Sequence, residues 1–264
     1  TVCKRMDRTN RILMKPAVEA LSNSRCVAPF NRITIMNKII TTLLLAGSIT
    51  KMQAQQRPKT GAWFTVQVPV AINKKVEWHN DASYRTMGNT IAALQYLYRT
   101  GLRYHFNKQW SSAAGVALFY TRTSFLKSNH EFGEEFRTWQ ELQYQQPLAK
   151  KKLQILLRAR TEQRFYQPTL KKAAYTAYRL RAKAAITYTI TEKWFLSASN
   201  EYMHQHQFSD WGFDQNRVQL TAGIKSKLKT QFQVGYMYVS RPNNAVQHLL
   251  LLTFQKNISL YANN

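Results

Sequence analysis

Arg158, Arg160, Glu162 and Arg164 stand at every second position of one short run. The same spacing returns at Arg179, Arg181 and Lys183, and close to it at Arg99 and Arg103. A guanidinium is a planar fork that pairs with a carboxylate or a phosphate through two parallel hydrogen bonds. These residue types therefore fit two kinds of chemistry. One is an ion-pair network in which Glu141, Glu162 and Glu201 hold the arginines; the other is a site or pore that takes small anions from outside. Arginine and lysine outnumber the carboxylates on these runs, so the network is not neutral by itself.

A second group is His204, His206, Ser209 and Asp210. Serine and histidine together suit a lipid-modifying enzyme of the phospholipase kind, which needs an acidic or polar third member. No such partner is placed by the sequence, and the group falls where a strand gives way to a loop. These residues are read as rim residues, with no catalytic residue and no metal ligand assigned. Asp214 cannot share a face with Arg217 on a regular strand, though a bulge would let them pair. There is no phosphate-cradling glycine loop, zinc spacing or recognition helix, and no cofactor is expected.

The elements that must position these side chains follow from the alternation. Gln154, Arg158, Arg160, Glu162 and Arg164 oppose Ile155, Leu157, Ala159 and Phe165; Arg179, Arg181 and Lys183 oppose Tyr178, Leu180, Ala182 and Ile186. Arginines at i, i+2 and i+4 scatter around a helix but share one face of a strand. No apolar run reaches the ~18–20 residues of a membrane-spanning helix, and the mean hydropathy is −0.44. These traits predict an all-β, up-and-down antiparallel transmembrane barrel. Lysine or arginine at the lipid-facing midplane would cost ~2–4 kcal/mol each, so the charged face must be the lumen. The expected lumen network comprises Arg99, Arg103, Arg137, Glu141, Arg158, Arg160, Glu162, Arg164, Arg179, Arg181, Lys183, Glu201 and Arg217.

Breaks between segments alternate in length. Short ones fall at Asn107-Lys108, at 149–151, at Thr191-Glu192-Lys193 and at Lys229-Thr230. Longer ones fall near 123–132, 167–174, 205–213 and 241–245. Phe106, Trp110, Tyr188, Trp194 and Phe232 flank the short turns, where a membrane interface favours aromatic rings. Counting segments gives about eleven. Bacterial single-chain barrels have even strand numbers, so twelve are expected, with ten as the alternative. Pro69 marks the first segment as irregular, since proline cannot donate to a ladder.

From Met36 the chain shows a short basic start, an apolar stretch from Ile39 to Ile49 and a small residue, Ala54, before Gln55. This is the pattern of a signal peptide, which predicts export to the bacterial outer membrane and folding there by the barrel-assembly machinery. Phosphates of outer-membrane lipid or lipopolysaccharide near the rims could then supply the missing negative charge. Residues 36–54 are read as the signal, 55–60 as a short linker and 61–264 as the barrel. Residues 1–35 are read as an over-extended, non-native segment. Cys3 and Cys26 both precede Met36, which removes disulfide, thiolate-metal and cysteine-nucleophile chemistry from the expected mature chain. The 38 Lys and Arg against 13 Asp and Glu give a formal net charge of +25, which alone would suit a polyanion. The charge is spread along strand faces rather than gathered in one patch, so no nucleic-acid partner is expected.

Several runs resemble the DUF2490 family, predicted outer-membrane proteins of Bacteroidetes and relatives. They are Trp63, Phe136-Arg137-Thr138-Trp139-Gln140-Glu141, Leu157-Arg158-Ala159-Arg160-Thr161-Glu162-Gln163-Arg164, Tyr178-Arg179-Leu180-Arg181, Phe213-Asp214-Gln215-Asn216-Arg217, Val234-Gly235-Tyr236-Met237-Tyr238 and His248. The resemblance covers Trp63 to Phe254 and is most specific in the run ending at Arg164. It implies a barrel of unassigned biochemical activity and supplies no catalytic residues.

Overall fold

Alternation with period two gives each segment one polar and one apolar face, and such strands are satisfied when their neighbours align the same faces. The computed structural model describes residues 59–88, 92–123, 132–148, 152–169, 173–208 and 210–261. Cys3, Cys26, the signal-like stretch from Met36 and Ser209 lie outside the described residues. The strands are β1 (Lys59–Gln67), β2 (Val70–Ala71), β3 (Val76–Thr86), β4 (Ala93–His105), β5 (Trp110–Arg122), β6 (Phe132–Leu148), β7 (Leu153–Tyr166), β8 (Tyr175–Thr189), β9 (Trp194–Gln207), β10 (Asp210–Lys225), β11 (Thr230–Ser240), β12 (Val246–Lys256) and β13 (Ile258–Ser259).

From β3 to β12 each strand pairs antiparallel with its sequence neighbour. β1 closes the ring: it pairs antiparallel with β3, Trp63 opposite Arg85, and parallel with β12, Trp63 opposite Leu251. β2 and β13 continue β1 and β12 beyond interruptions at Pro69 and Asn257 and pair with each other in parallel. The described residues thus form a closed all-β barrel of eleven staves. The count departs from the expected twelve or ten for a topological reason. An even number follows when first and last strands meet antiparallel; here they run the same way, which an up-and-down ring permits only with an odd number. Lys59 and Thr60 already belong to β1.

Three of the short turns are closed by side chains that cap their own backbone. Asn107 Oδ1 accepts the amides of Gln109 and Trp110, both at 2.8 Å; Asn73 does the same for Lys75 and Val76; Thr191 Oγ1 accepts from Lys193 and Trp194. At the opposite end one expected long break is absent. β9 runs to Gln207 and β10 starts at Asp210, so the chain reverses around Phe208, whose φ of 63° makes the corner and whose ring stacks on Tyr175.

The two faces of the sheet differ in burial. Leu157 is 48% exposed and Glu162, five residues on, 3%. Leu102, Leu180, Leu220, Leu250 and Tyr178 stand on the outer wall with Leu157, while carboxylates and guanidiniums fill the lumen.

Candidate functional site

Register alone would put like charges opposite one another inside the barrel. Arg160 faces Arg181 and Arg158 faces Lys183 across β7 and β8, and Arg137 faces Arg164 across β6 and β7. Like charges directly opposed destabilise a sheet. Carboxylates placed one step along the diagonal resolve most of this. Glu135 receives Arg137 Nε at 2.5 Å and Arg164 Nε at 2.6 Å. Glu162 receives Arg181 Nη1 at 2.5 Å and Arg137 Nη1 at 3.2 Å, with Arg179 and Arg160 at 3.9 and 4.0 Å. Glu201 binds Arg158 at 2.5 Å and Arg181 at 2.8 Å, with Arg217 at 3.8 Å. Glu141 takes Arg103 and Arg160, each at 2.6 Å. Arg181 bridges Glu162 and Glu201, so the ladder is continuous from β6 to β9.

Arg99 stands apart from that ladder and pairs with Asp81 at 2.7 Å, an oxygen shared with His79 Nε2 at 3.0 Å. A register shift between Phe213 and Gln215 brings Asp214 inward. Its partner is Arg179, at 3.0 Å, and Arg217 donates to Gln215 instead, at 3.2 Å. Arg179 also donates to Gln205 Oε1 at 2.9 Å, an oxygen that accepts from Arg164 as well. Lys183 faces Glu201 in register but lies beyond ion-pair distance of any carboxylate among the described residues.

Several lumen residues fall outside the expected set. Glu135, two places before Arg137, and Asp81, opposite Arg99, were readable from the period-two rule. Arg85, Arg241 and Trp139 were not, because their importance depends on what the ring brings across. Trp139 is 1% exposed. Its indole donates to the Val116 carbonyl at 3.2 Å, and the Arg160 guanidinium lies 4.7 Å from the ring centre. It fits because β5 carries Gly115: a Cβ there would meet the Thr100 carbonyl oxygen at 2.1 Å and the indole at 2.7 Å.

Opposite the ladder, the lumen face of β11, β12 and β1 carries an apolar cluster. Met237, Val239, Leu249 and Leu251 pack as one cluster with Trp63 against it. Between the two walls lies a cavity of about 700 Å³ that reaches up to the Lys59, Met87 and Arg241 end of the barrel. Arg85, Lys183 and Arg241 line it, and among the described residues none of the three has a carboxylate within 4 Å. The Nε atoms of Arg85 and Arg241 are buried without a hydrogen-bond partner.

His204 and His206 point outward instead. Both rings lie against Trp211, at 6.0 and 5.2 Å, on the face of β9 opposite to Glu201. Phe106, Trp110, Tyr188, Trp194 and Phe232 are all exposed on the outer wall beside the short turns, with Trp110 against Tyr144 at 4.9 Å.

The sequence profile of a family described as "Protein of unknown function (DUF2490)" matches residues 60–249. One solved structure, described as "NanC porin structure in rhombohedral crystal form", aligns over 72% of this chain and 90% of its own, with 12% identity and a TM-score of 0.46. No curated protein matches the chain. The chain belongs to the DUF2490 family.

Proposed function

We propose that this DUF2490 barrel sits in a bacterial outer membrane and takes small anions into its lumen from the end that carries the longer connections. An outer wall of half-exposed leucine, tyrosine and phenylalanine would drive aggregation in water, whereas hydrocarbon accepts it and forces charge inward. The signal-like segment 36–54 supplies the export route, and the aromatic residues beside the short turns suit a lipid–water interface.

The observation that carries the anion reading is the unmatched positive charge of Arg85, Lys183 and Arg241 on the cavity. A lumen built only to fill itself would place a carboxylate beside each buried cation, as it does for Arg160 and Arg181, because an unpaired buried charge is costly. A solute anion completes the set.

Reconstitution in a planar bilayer under a KCl gradient tests this. The reversal potential is expected on the chloride side, and Arg85→Gln, Lys183→Gln and Arg241→Gln together are expected to move it toward zero. A cation-selective current would overturn the reading, and the absence of current across a wide salt range would remove conduction and leave only anion binding in the lumen.

A further inference from the structure

Trp63 lies at the closure seam of the ring, where β1 meets β3 and β12. In register its neighbours are Arg85 on β3 and Leu251 on β12. The Arg85 guanidinium stacks 3.8 Å from the indole centre and that of Arg217 lies at 5.0 Å. The ring thus carries two guanidiniums, drawn by the negative faces of the π system, and its β12 partner belongs to the cluster of Met237, Leu249 and Leu251 that packs against it. All of these side chains border the same cavity.

The cations at the seam have capacity left over. Arg85 spends Nη1 on Gln95 Oε1 at 2.7 Å and keeps a buried Nε without an acceptor. Arg217 meets Glu201 only at 3.8 Å. A small hydrated anion would answer the guanidiniums and leave the leucine side of the cavity facing water. A purely apolar guest would do the reverse.

We infer that the cavity is a binding site for amphipathic anions: ligands with a single anionic headgroup, seated between Arg85 and Arg217 at Trp63, and an apolar body lying on Met237, Leu249 and Leu251. This rests on the anion reading above and narrows it to a ligand class. Headgroup and body act on different side chains, so their contributions should separate.

Equilibrium binding to the refolded barrel in nanodiscs tests it, with empty nanodiscs subtracted to remove partitioning into lipid. The probes are 2-naphthoate, acetate and 2-naphthalenemethanol. Naphthoate is expected to bind at least tenfold more tightly than either acetate or the alcohol, because burying an aromatic ring and pairing a carboxylate each contribute at least that factor. Arg85→Gln is expected to weaken naphthoate at least tenfold while leaving the alcohol unchanged. Leu249→Ser is expected to weaken naphthoate and leave acetate unchanged. Naphthoate binding no tighter than acetate, or matched by the alcohol, would sink the proposal whether or not either variant folds. The two readings fail separately. Anion-selective current without a naphthoate preference removes the amphipathic site alone, and naphthoate binding without current removes the conducting path alone.

Discussion

The ladder on β6 to β9 and the apolar cluster on β11, β12 and β1 fill one lumen from strands of the same geometry, yet they are held together in opposite ways. On the charged wall the long side chains, Lys183 apart, are held by named partners. Arg181 requires Glu162 and Glu201, and Glu141 requires Arg103 and Arg160. Position there is fixed by direction and distance, and a missing partner leaves a desolvated charge. On the apolar wall Met237, Val239, Leu249 and Leu251 need only bulk of about the right shape. The charged wall reaches across the barrel because guanidiniums stand on long stems; the apolar wall stays short and leaves the space that becomes the cavity. Specificity and room are thus supplied by different halves of the same ring.

Three substitutions would break or sharpen that contrast. Glu162→Leu removes the carboxylate that faces four guanidiniums and should cost about 3–5 kcal/mol, read as a lowered midpoint in denaturant unfolding of the refolded barrel. A loss below about 1 kcal/mol would mean that the ladder is wetted and weakly coupled. Leu251→Ala, on the other wall, should cost about 2 kcal/mol, the low end for leucine truncation, because the side chain borders a cavity rather than a closed core. Its cost should be insensitive to added salt. Arg217→Gln, near the seam, should change stability by no more than about 1 kcal/mol. Glu201 keeps Arg158 and Arg181, and one of several like charges is removed. A loss as large as that of Glu162→Leu would show that Arg217 belongs to the ladder after all.

Much of this architecture was legible in the chain itself. The alternation of Arg158, Arg160, Glu162 and Arg164 with Leu157, Ala159 and Phe165 defines strand and face together, since side chains on a strand can only alternate. The partners were not legible, because which carboxylate serves which guanidinium depends on the diagonal offset between strands, and register is invisible in one strand's pattern. The strand count shows the same limit. Segment counting arrived at eleven, and the even-number rule displaced it, because nothing local in β1 or β12 announces that they will meet running the same way. Asp214 marks a third case. A bulge was allowed for, but not the choice of Arg179 over Arg217. The Arg85, Trp63 and Leu251 row joins residues from three strands at the point of closure, so it exists only once the ring is shut.

That parallel closure has a consequence for whatever flanks the barrel. Lys59 sits beside Gln247, at the rim shared with Thr86 and Gly88, whereas Ser259 ends beside Ala71, next to the Asn73 turn. The polypeptide thus enters the wall at one rim and leaves it at the other. Peptide tags placed before Lys59 and after Ser259 would be reached by antibodies from opposite sides, an arrangement that a hairpin-closed ring, with both ends at one rim, does not offer.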